Sequence, residues 1–317
     1  MKVLCDREKL REGLAVVNSV VPTKTTKAVL ANVCLVATED ALELVGTDLD
    51  VAVRYRISDD VKVDEPGTVV VPARVTLDFV RDLSGETVVL EAGEARCVLK
   101  AGDDACELVM ADPDEFPVVS RFEEEGSCSI QAGGFTSLVG RTAFAAAREQ
   151  GRYAMHGVLT EVEESQLRLV ATDGRRLAVA SAPLESAPPL DKPVIVPTKG
   201  MQLFCRVVSD PLDQVRLSFS ESQVGFKTPQ AEVFARLIDG EFPRYSAVIP
   251  RESVHCVEAD AELFSRKLRL VANLTGDEAR AVRLSFSDGQ MELFGQSAGR
   301  GEAHARMEVD YKGEQAD

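Results

Sequence analysis

At 317 residues and 45% apolar content, the chain exceeds one ordinary hydrophobic core and suits two or three domains. Asp and Glu number 52 against 36 Lys and Arg, a net charge of −16, which argues against a broadly basic nucleic-acid-binding surface and leaves only a localised one. Seven cysteines, an odd number with no Cys-x-x-Cys pair, argue for reduced thiols rather than a disulfide framework, and no apolar run approaches the roughly 18 residues that span a bilayer, so the expectation is a soluble cytoplasmic protein with no membrane partner.

Leu10, Leu14, Val17 and Val21 stand at helical spacing and predict an amphipathic helix over residues 7–21. A polar loop, 23–27, carries Lys24 and Lys27. Alternation through Leu42 and Leu44 reaches the turn Gly46-Thr47-Asp48-Leu49, and Val51 and Val53 resume it, so strands flank that turn. After Glu65-Pro66-Gly67 comes Val69-Val70-Val71-Pro72-Ala73-Arg74, then a short helical segment to Leu83 and three strand-length pieces ending at Phe116-Pro117.

A second pass begins near Ser129. Phe135, Leu138, Val139, Thr142 and Ala146 share a helical face, a loop holds Arg152-Tyr153-Ala154-Met155-His156-Gly157, and strands lead to Ala171-Thr172-Asp173-Gly174-Arg175-Arg176-Leu177-Ala178, where Asp-Gly supplies a tight turn. Val196-Pro197-Thr198-Lys199 opens another helix, and strands end at Phe242-Pro243. Thr47-Asp48 and Thr172-Asp173 stand 125 residues apart, as do Val71-Pro72 and Val196-Pro197, and Phe116-Pro117 recurs at an offset of 126. Three landmarks at nearly one offset define an internal repeat and set domains at 1–122, 123–250 and 251–317.

The third copy starts near Val254, with Leu263, Phe264, Leu268, Val271 and Leu274 on a helix, strands around Val282–Phe286 and Met291–Leu293, and Phe294-Gly295-Gln296-Ser297 at the expected turn. It holds the first half of a unit, so a truncated third repeat is expected.

Charge is distributed by helix. Arg141 and Arg148 in the second repeat's first helix are spaced for two turns, Lys199 and Arg206 repeat that spacing opposite Met201 and Phe204, Arg74 and Arg81 share it, and Arg266 and Arg269 point away from Phe264 and Val271. Helices gathered on one side would give a net-acidic protein one basic surface, able to follow a phosphate backbone without reading bases. The three histidines are unpaired, and neither a Walker loop nor a nucleophile elbow is present, so no catalytic constellation emerges. The pairs Asp48/Asp50 and Asp112/Asp114 would be the oxygen ligands of a metal-dependent nuclease, the alternative from a different class, but turns favour Asp in any case. No cofactor and no metal are expected.

With the repeat, the Thr172-Asp173-Gly174-Arg175-Arg176-Leu177 turn, Arg152-Tyr153-x-x-x-Gly157 before it and Asp239-Gly240-Glu241-Phe242-Pro243-Arg244-Tyr245 after it, the chain resembles the bacterial DNA sliding clamps, the β subunits of DNA polymerase III. The resemblance implies an α+β architecture of tandem clamp-fold repeats, each with two helices on one inner side and antiparallel sheets outside. It further implies a non-catalytic processivity factor, a head-to-tail homodimeric ring around double-stranded DNA that tethers polymerase and clamp-loader subunits through short peptide motifs. Carried onto this sequence, it places Met155, Thr172, Gly174, Arg175, Arg176, Leu177, Pro243 and Val248 in the partner-peptide pocket. Lys24, Lys27, Arg74, Arg141, Arg148, Arg152, Tyr153, Lys199, Arg206 and Arg266 then face DNA, and Cys106 and Leu108 meet Asn273 and Leu274 of a second copy at the dimer edge. His156 stands where the family commonly has Asn, and Arg175 where it often has His. The incomplete third unit leads to the expectation of a weakened pocket and ring, and a clamp-like paralogue that binds partners without loading on DNA is the alternative of the same fold.

Overall fold

The computed structural model describes residues 1–148, 153–186, 190, 192–253, 255–276 and 281–311; Arg152, expected to face DNA, lies outside them. Two compact units are present, Met1–Pro243 and Arg244–Asp317.

In the first unit the chain runs β1 (Lys2–Asp6), α1 (Arg7–Asn18), β2 (Asn32–Ala37), β3 (Leu42–Thr47), β4 (Val51–Ile57), β5 (Val61–Glu65), β6 (Gly67–Pro72), α2 (Ala73–Asp82), β7 (Thr87–Ala92), β8 (Arg96–Ala101) and β9 (Asp104–Val109). It then repeats itself as β10 (Cys128–Gln131), α3 (Ala132–Thr142), β11 (Gly157–Glu163), β12 (Gln166–Thr172), β13 (Leu177–Pro183), β14 (Val194–Pro197), α4 (Thr198–Arg206), β15 (Gln214–Phe219), β16 (Gln223–Lys227) and β17 (Ala231–Arg236). The repeat holds to the register of single residues. Asn32 pairs with Pro72 as Gly157 pairs with Pro197, and Thr47 with Ala52 as Thr172 with Leu177.

All ladders are antiparallel. One sheet runs β5-β1-β7-β8-β9, a second β13-β12-β11-β14, and a third crosses both repeats in the order β10-β15-β16-β17-β4-β3-β2-β6. The junction is β17 on β4, registered from Ala231 opposite Tyr55 to Ala235 opposite Val51 and extended by Arg236 N–H to the Asp50 carbonyl at 2.8 Å. Beside it the Glu43 carboxylate, with 3% of its side chain exposed, accepts from Arg54 of β4 at 2.9 Å and from Arg121 of the inter-repeat segment at 3.2 Å. Glu124 binds Arg216 and Lys227 from the same segment.

The helices form where their apolar residues recur at three and four, and they bury that stripe on the sheets. Asp6 caps α1 by accepting from Lys9 N–H at 2.9 Å, and Leu10, Leu14 and Val17 are buried. The helix stops at Asn18, short of the predicted 21, because Ser19 N–H and Oγ both turn back to the Val16 carbonyl. At Gly46 a Cβ would meet Val17 Cγ1 at 2.5 Å, so glycine lets α1 lie directly on β3. In the second repeat Phe135 of α3, Phe204 of α4 and Phe226 of β16 cluster with centroids 4.9–6.3 Å apart, Phe204 stacked on Phe226 and Phe135 tilted against both.

One helical expectation is corrected. α3 ends at Thr142 and passes into a 3-10 turn, Ala143–Ala145, so Arg148 does not lie two helical turns beyond Arg141. The alanine-rich sequence 143–147 has the propensity to continue, but Ala147 N–H bonds across to the Met155 carbonyl at 2.9 Å and Ala145 and Ala146 are buried. Tertiary pairing overrides local preference.

The second unit is α5 (Ala261–Ala272) on a sheet ordered β18 (Arg283–Ser287), β19 (Gln290–Ser297) and β20 (Gly301–Glu308), around Val271, Met291, Leu293, Met307 and Tyr311. Here too a turn is corrected: residues 294–297 belong to β19, and the connection is Ala298-Gly299-Arg300. Gly295 takes the part of Gly46, since a Cβ there would meet Val271 Cγ1 at 2.8 Å.

Candidate nucleic-acid interface and partner turn

The turn between β12 and β13 is closed by its own side chains. Thr172 Oγ1 accepts from Gly174 N–H at 3.1 Å and donates to the Arg176 carbonyl at 2.7 Å, while Asp173 Oδ1 accepts from the N–H groups of Arg175 and Arg176 at 2.9 and 3.0 Å. Gly174 sits at φ 86°, in the left-handed region that glycine enters without steric cost. The two N–H donors, Arg175 first, hold the Asp173 carboxyl below the usual carboxylate range. Arg176 then ties the turn outward: its Nε meets Asp173 Oδ2 at 3.1 Å, its Nη2 donates to the Phe144 carbonyl at 2.6 Å, and its guanidinium lies 5.4 Å from the Phe144 ring centre. The result is a rigid turn with Arg175 exposed, Leu177 half-buried and Thr172 buried.

Of the other residues expected in the pocket, Met155 is 8% exposed and its carbonyl accepts from Ala147 N–H. Pro243 is half-buried as the last residue of the first unit, and Val248, 69% exposed, follows the 3-10 turn Tyr245–Ala247 in the second. Phe144, 52% exposed, escapes sequence reasoning. Its place in Ala143-Phe144-Ala145 reads as helix core, and only the early end of α3 turns the ring outward.

The first unit's helices lie side by side. α1 packs on α2 and α3 on α4, and Arg206 Nη2 of α4 reaches the Ala15 carbonyl of α1 at 3.5 Å. Arg74, Arg141, Arg148, Lys199 and Arg206 are all exposed, as are Lys24 and Lys27 in the loop after α1, while Arg266 is exposed on α5 in the second unit. The Tyr153–His156 segment is a 3-10 turn. The helical layer is not uniformly basic. Asp78 pairs with Arg81 at 3.0 Å and Arg74 at 3.7 Å, Glu8 holds Arg7 and Arg11, and Lys199 is bound to Asp48 of the first repeat.

Cys106 and Leu108 lie on β9, an edge strand of its sheet. Leu108 points into the core at 4% exposure and Val109 outward at 61%. Asn273 and Leu274 close α5, Asn273 N–H bonding the Arg269 carbonyl at 3.3 Å.

The acidic pairs have structural work. Asp48 Oδ1 caps its turn at 2.7 Å to Val51 N–H and its Oδ2 holds Lys199; Asp112 Oδ1 accepts from Asp114 N–H at 2.9 Å. Among the described residues no group of three or more His, Cys, Asp and Glu is placed to hold a metal. Burial pushes the thiols up, Cys5 to about 12 and Cys34, Cys97, Cys128 and Cys205 to about 11, so they act as small apolar groups.

Three consecutive family profiles match along the chain: the DNA polymerase III beta subunit N-terminal domain at 1–120, central domain at 129–244 and C-terminal domain at 246–317. The beta sliding clamp of Pseudomonas putida is 32% identical over 317 residues, covering 99% of this chain and 85% of the relative. The chain belongs to the DNA polymerase III beta subunit family, the bacterial sliding clamps. The fold agrees. The crystal structure of a DnaN sliding clamp from Pseudomonas aeruginosa bound to griselimycin superposes with TM-score 0.92 at 31% identity, covering 99% of this chain and 85% of that one, and a DNA polymerase sliding clamp from Bacillus subtilis with TM-score 0.93 at 26%, covering 99% and 86%. Membership of the sliding-clamp family makes the chain a DNA polymerase processivity factor. Among the described residues no helix is long and apolar enough to cross a membrane.

Proposed function

We propose that the chain acts by topology and contact alone, without catalysing a reaction: two copies joined head to tail encircle duplex DNA, the helices inward, and a peptide pocket on each copy holds polymerase and clamp-loader segments. The observation that carries this reading is the helical layer α2-α1-α4-α3, which displays Arg74, Arg141, Lys199 and Arg206 to solvent on a chain of net charge −16. Exposed cations on long side chains make exchangeable phosphate contacts that release counterions and carry no base information, which suits sliding. Lys24, Lys27, Arg148, Arg152, Tyr153 and Arg266 join this surface in the proposal, and the division into three domains at 1–122, 123–250 and 251–317 follows the repeat.

The pocket is assigned to Met155, Thr172, Gly174, Arg175, Arg176, Leu177, Pro243 and Val248. A turn fixed by five of its own hydrogen bonds and ion pairs presents Leu177 without paying ordering entropy on binding. Ring closure is assigned to the β9 edge, the backbone of Cys106 and Leu108 and the outward Val109 side chain of one copy meeting Asn273 and Leu274 of the other.

The test is processive synthesis on a long primed circular template with a cognate polymerase and clamp loader. The wild-type chain is expected to lengthen products and Leu177→Ala to shorten them while the variant still loads on the circle. Product lengths unchanged by the wild-type chain would refute the proposal.

A further inference from the structure

The turn that opens β4 matches the turn that opens β13 bond for bond. Thr47 Oγ1 accepts from Leu49 N–H at 2.9 Å and donates to the Val51 carbonyl at 3.0 Å, and Asp48 Oδ1 accepts from Asp50 and Val51 N–H at 3.0 and 2.7 Å. Asp50 and Val51 stand where the other turn has Arg175 and Arg176, and the left-handed position differs as well. Leu49, at φ 81°, occupies the left-handed position that Gly174 fills at φ 86°, a strain that glycine would not carry.

The strained leucine is also exposed, at 48%. It borders two depressions: one of about 260 Å³, lined by Pro117, Val118, Phe234 and Arg236 among others, and one of about 590 Å³, lined by Lys24, Lys27 and Leu30. Val118 is fully exposed at 101%. Among the described residues Arg236, Lys24 and Lys27 have no carboxylate partner, while of the two turn aspartates Asp48 is taken by Lys199. Arg236 borders the smaller depression and Lys24 and Lys27 the larger, against the one free carboxylate of Asp50, so the free charge around Leu49 is net positive and complementary to an acidic ligand.

We propose that the turn 47–52 is a second docking surface, for an extended partner peptide that lays an aliphatic side chain against Leu49 and Val118 and an acidic side chain against Arg236. The apolar pair supplies the anchor and the cation the register, the division of labour usual in small docking sites. The site lies at the junction of the first two repeats and does not depend on the pocket assigned to Leu177.

The test is a titration of the methyl-labelled full chain, read by NMR, with acetyl-Leu-Leu-Glu-Glu-amide, acetyl-Leu-Leu-Lys-Lys-amide and a short DNA duplex. The acidic peptide is expected to shift the Leu49 and Val118 methyls and to bind about tenfold more tightly than the basic one. Leu49→Gly removes the anchor and the strain together, so it is expected to weaken binding by about tenfold with an unlowered melting temperature. Arg236→Glu is expected to invert the preference between the peptides. Absent shifts, equal affinity for both peptides, shifts confined to Leu177, or shifts at Leu49 and Val118 with the duplex but with neither peptide would each overturn the proposal. Leu177 methyls in the same spectra report on the other pocket separately, so the two readings fail independently.

Discussion

Thr172 shows how much one hydroxyl fixes. It is 8% exposed and serves both a donor and an acceptor of its turn. Thr172→Val keeps the shape and strands both groups, so chemical denaturation is expected to show a loss of about 1–3 kcal/mol. Asp173 adds a pH signature. Its folded pKa lies below the unfolded value because Arg175 and Arg176 N–H groups bond the carboxylate. Its contribution is therefore present above the unfolded pKa of about 3.9 and is lost as pH falls through the folded one. The stability gap between wild type and Asp173→Asn is expected to be constant near neutrality and to close in acid; a gap that widens on acidification would contradict the assignment. The turn itself was legible in Asp-Gly and its flanks. The bonding of Thr172 and the outward Phe144 were not, because both depend on where neighbouring backbone ends.

Elements were legible wherever apolar spacing was strong and burial was on one face. Leu10, Leu14 and Val17 announced α1, and the recurrence of Thr-Asp and Val-Pro pairs announced paired strands whose registers repeat residue for residue. What was not legible was termination. α3 stops at Thr142 and the β19–β20 turn falls at 298–300 because of bonds to distant carbonyls and a tighter loop, neither of which periodicity encodes. Glu43 was hidden for a similar reason. In Leu42-Glu43-Leu44 it reads as a solvent-facing strand position, yet Arg54 and Arg121 cover it. Packing between elements gives two expectations for thermal unfolding. Phe204→Ala, in the aromatic cluster with 0% exposure, should cost about 3–5 kcal/mol. Gly46→Ala, whose methyl would overlap buried Val17, should cost about 1–3 kcal/mol.

At the scale of the molecule, repetition does the work. One eight-stranded sheet crosses two repeats, so their helices stand in a single layer, and charge that is dilute in each helix becomes a surface. Glu43 belongs to this scale: removing it leaves Arg54, with 11% side-chain exposure, unpaired at the junction. Glu43→Ala is expected to lower stability by about 3–5 kcal/mol, measured by denaturant unfolding of the full chain. On the proposed function, contact with DNA is topological rather than tight. This is tested most directly by loading the protein onto nicked circular DNA with a clamp loader and then cutting the circle with a restriction enzyme. Protein is expected to co-elute with the intact circle at moderate salt and to be released once the DNA is linear. Retention that survives linearisation, or that is equally strong on linear DNA from the outset, would contradict it.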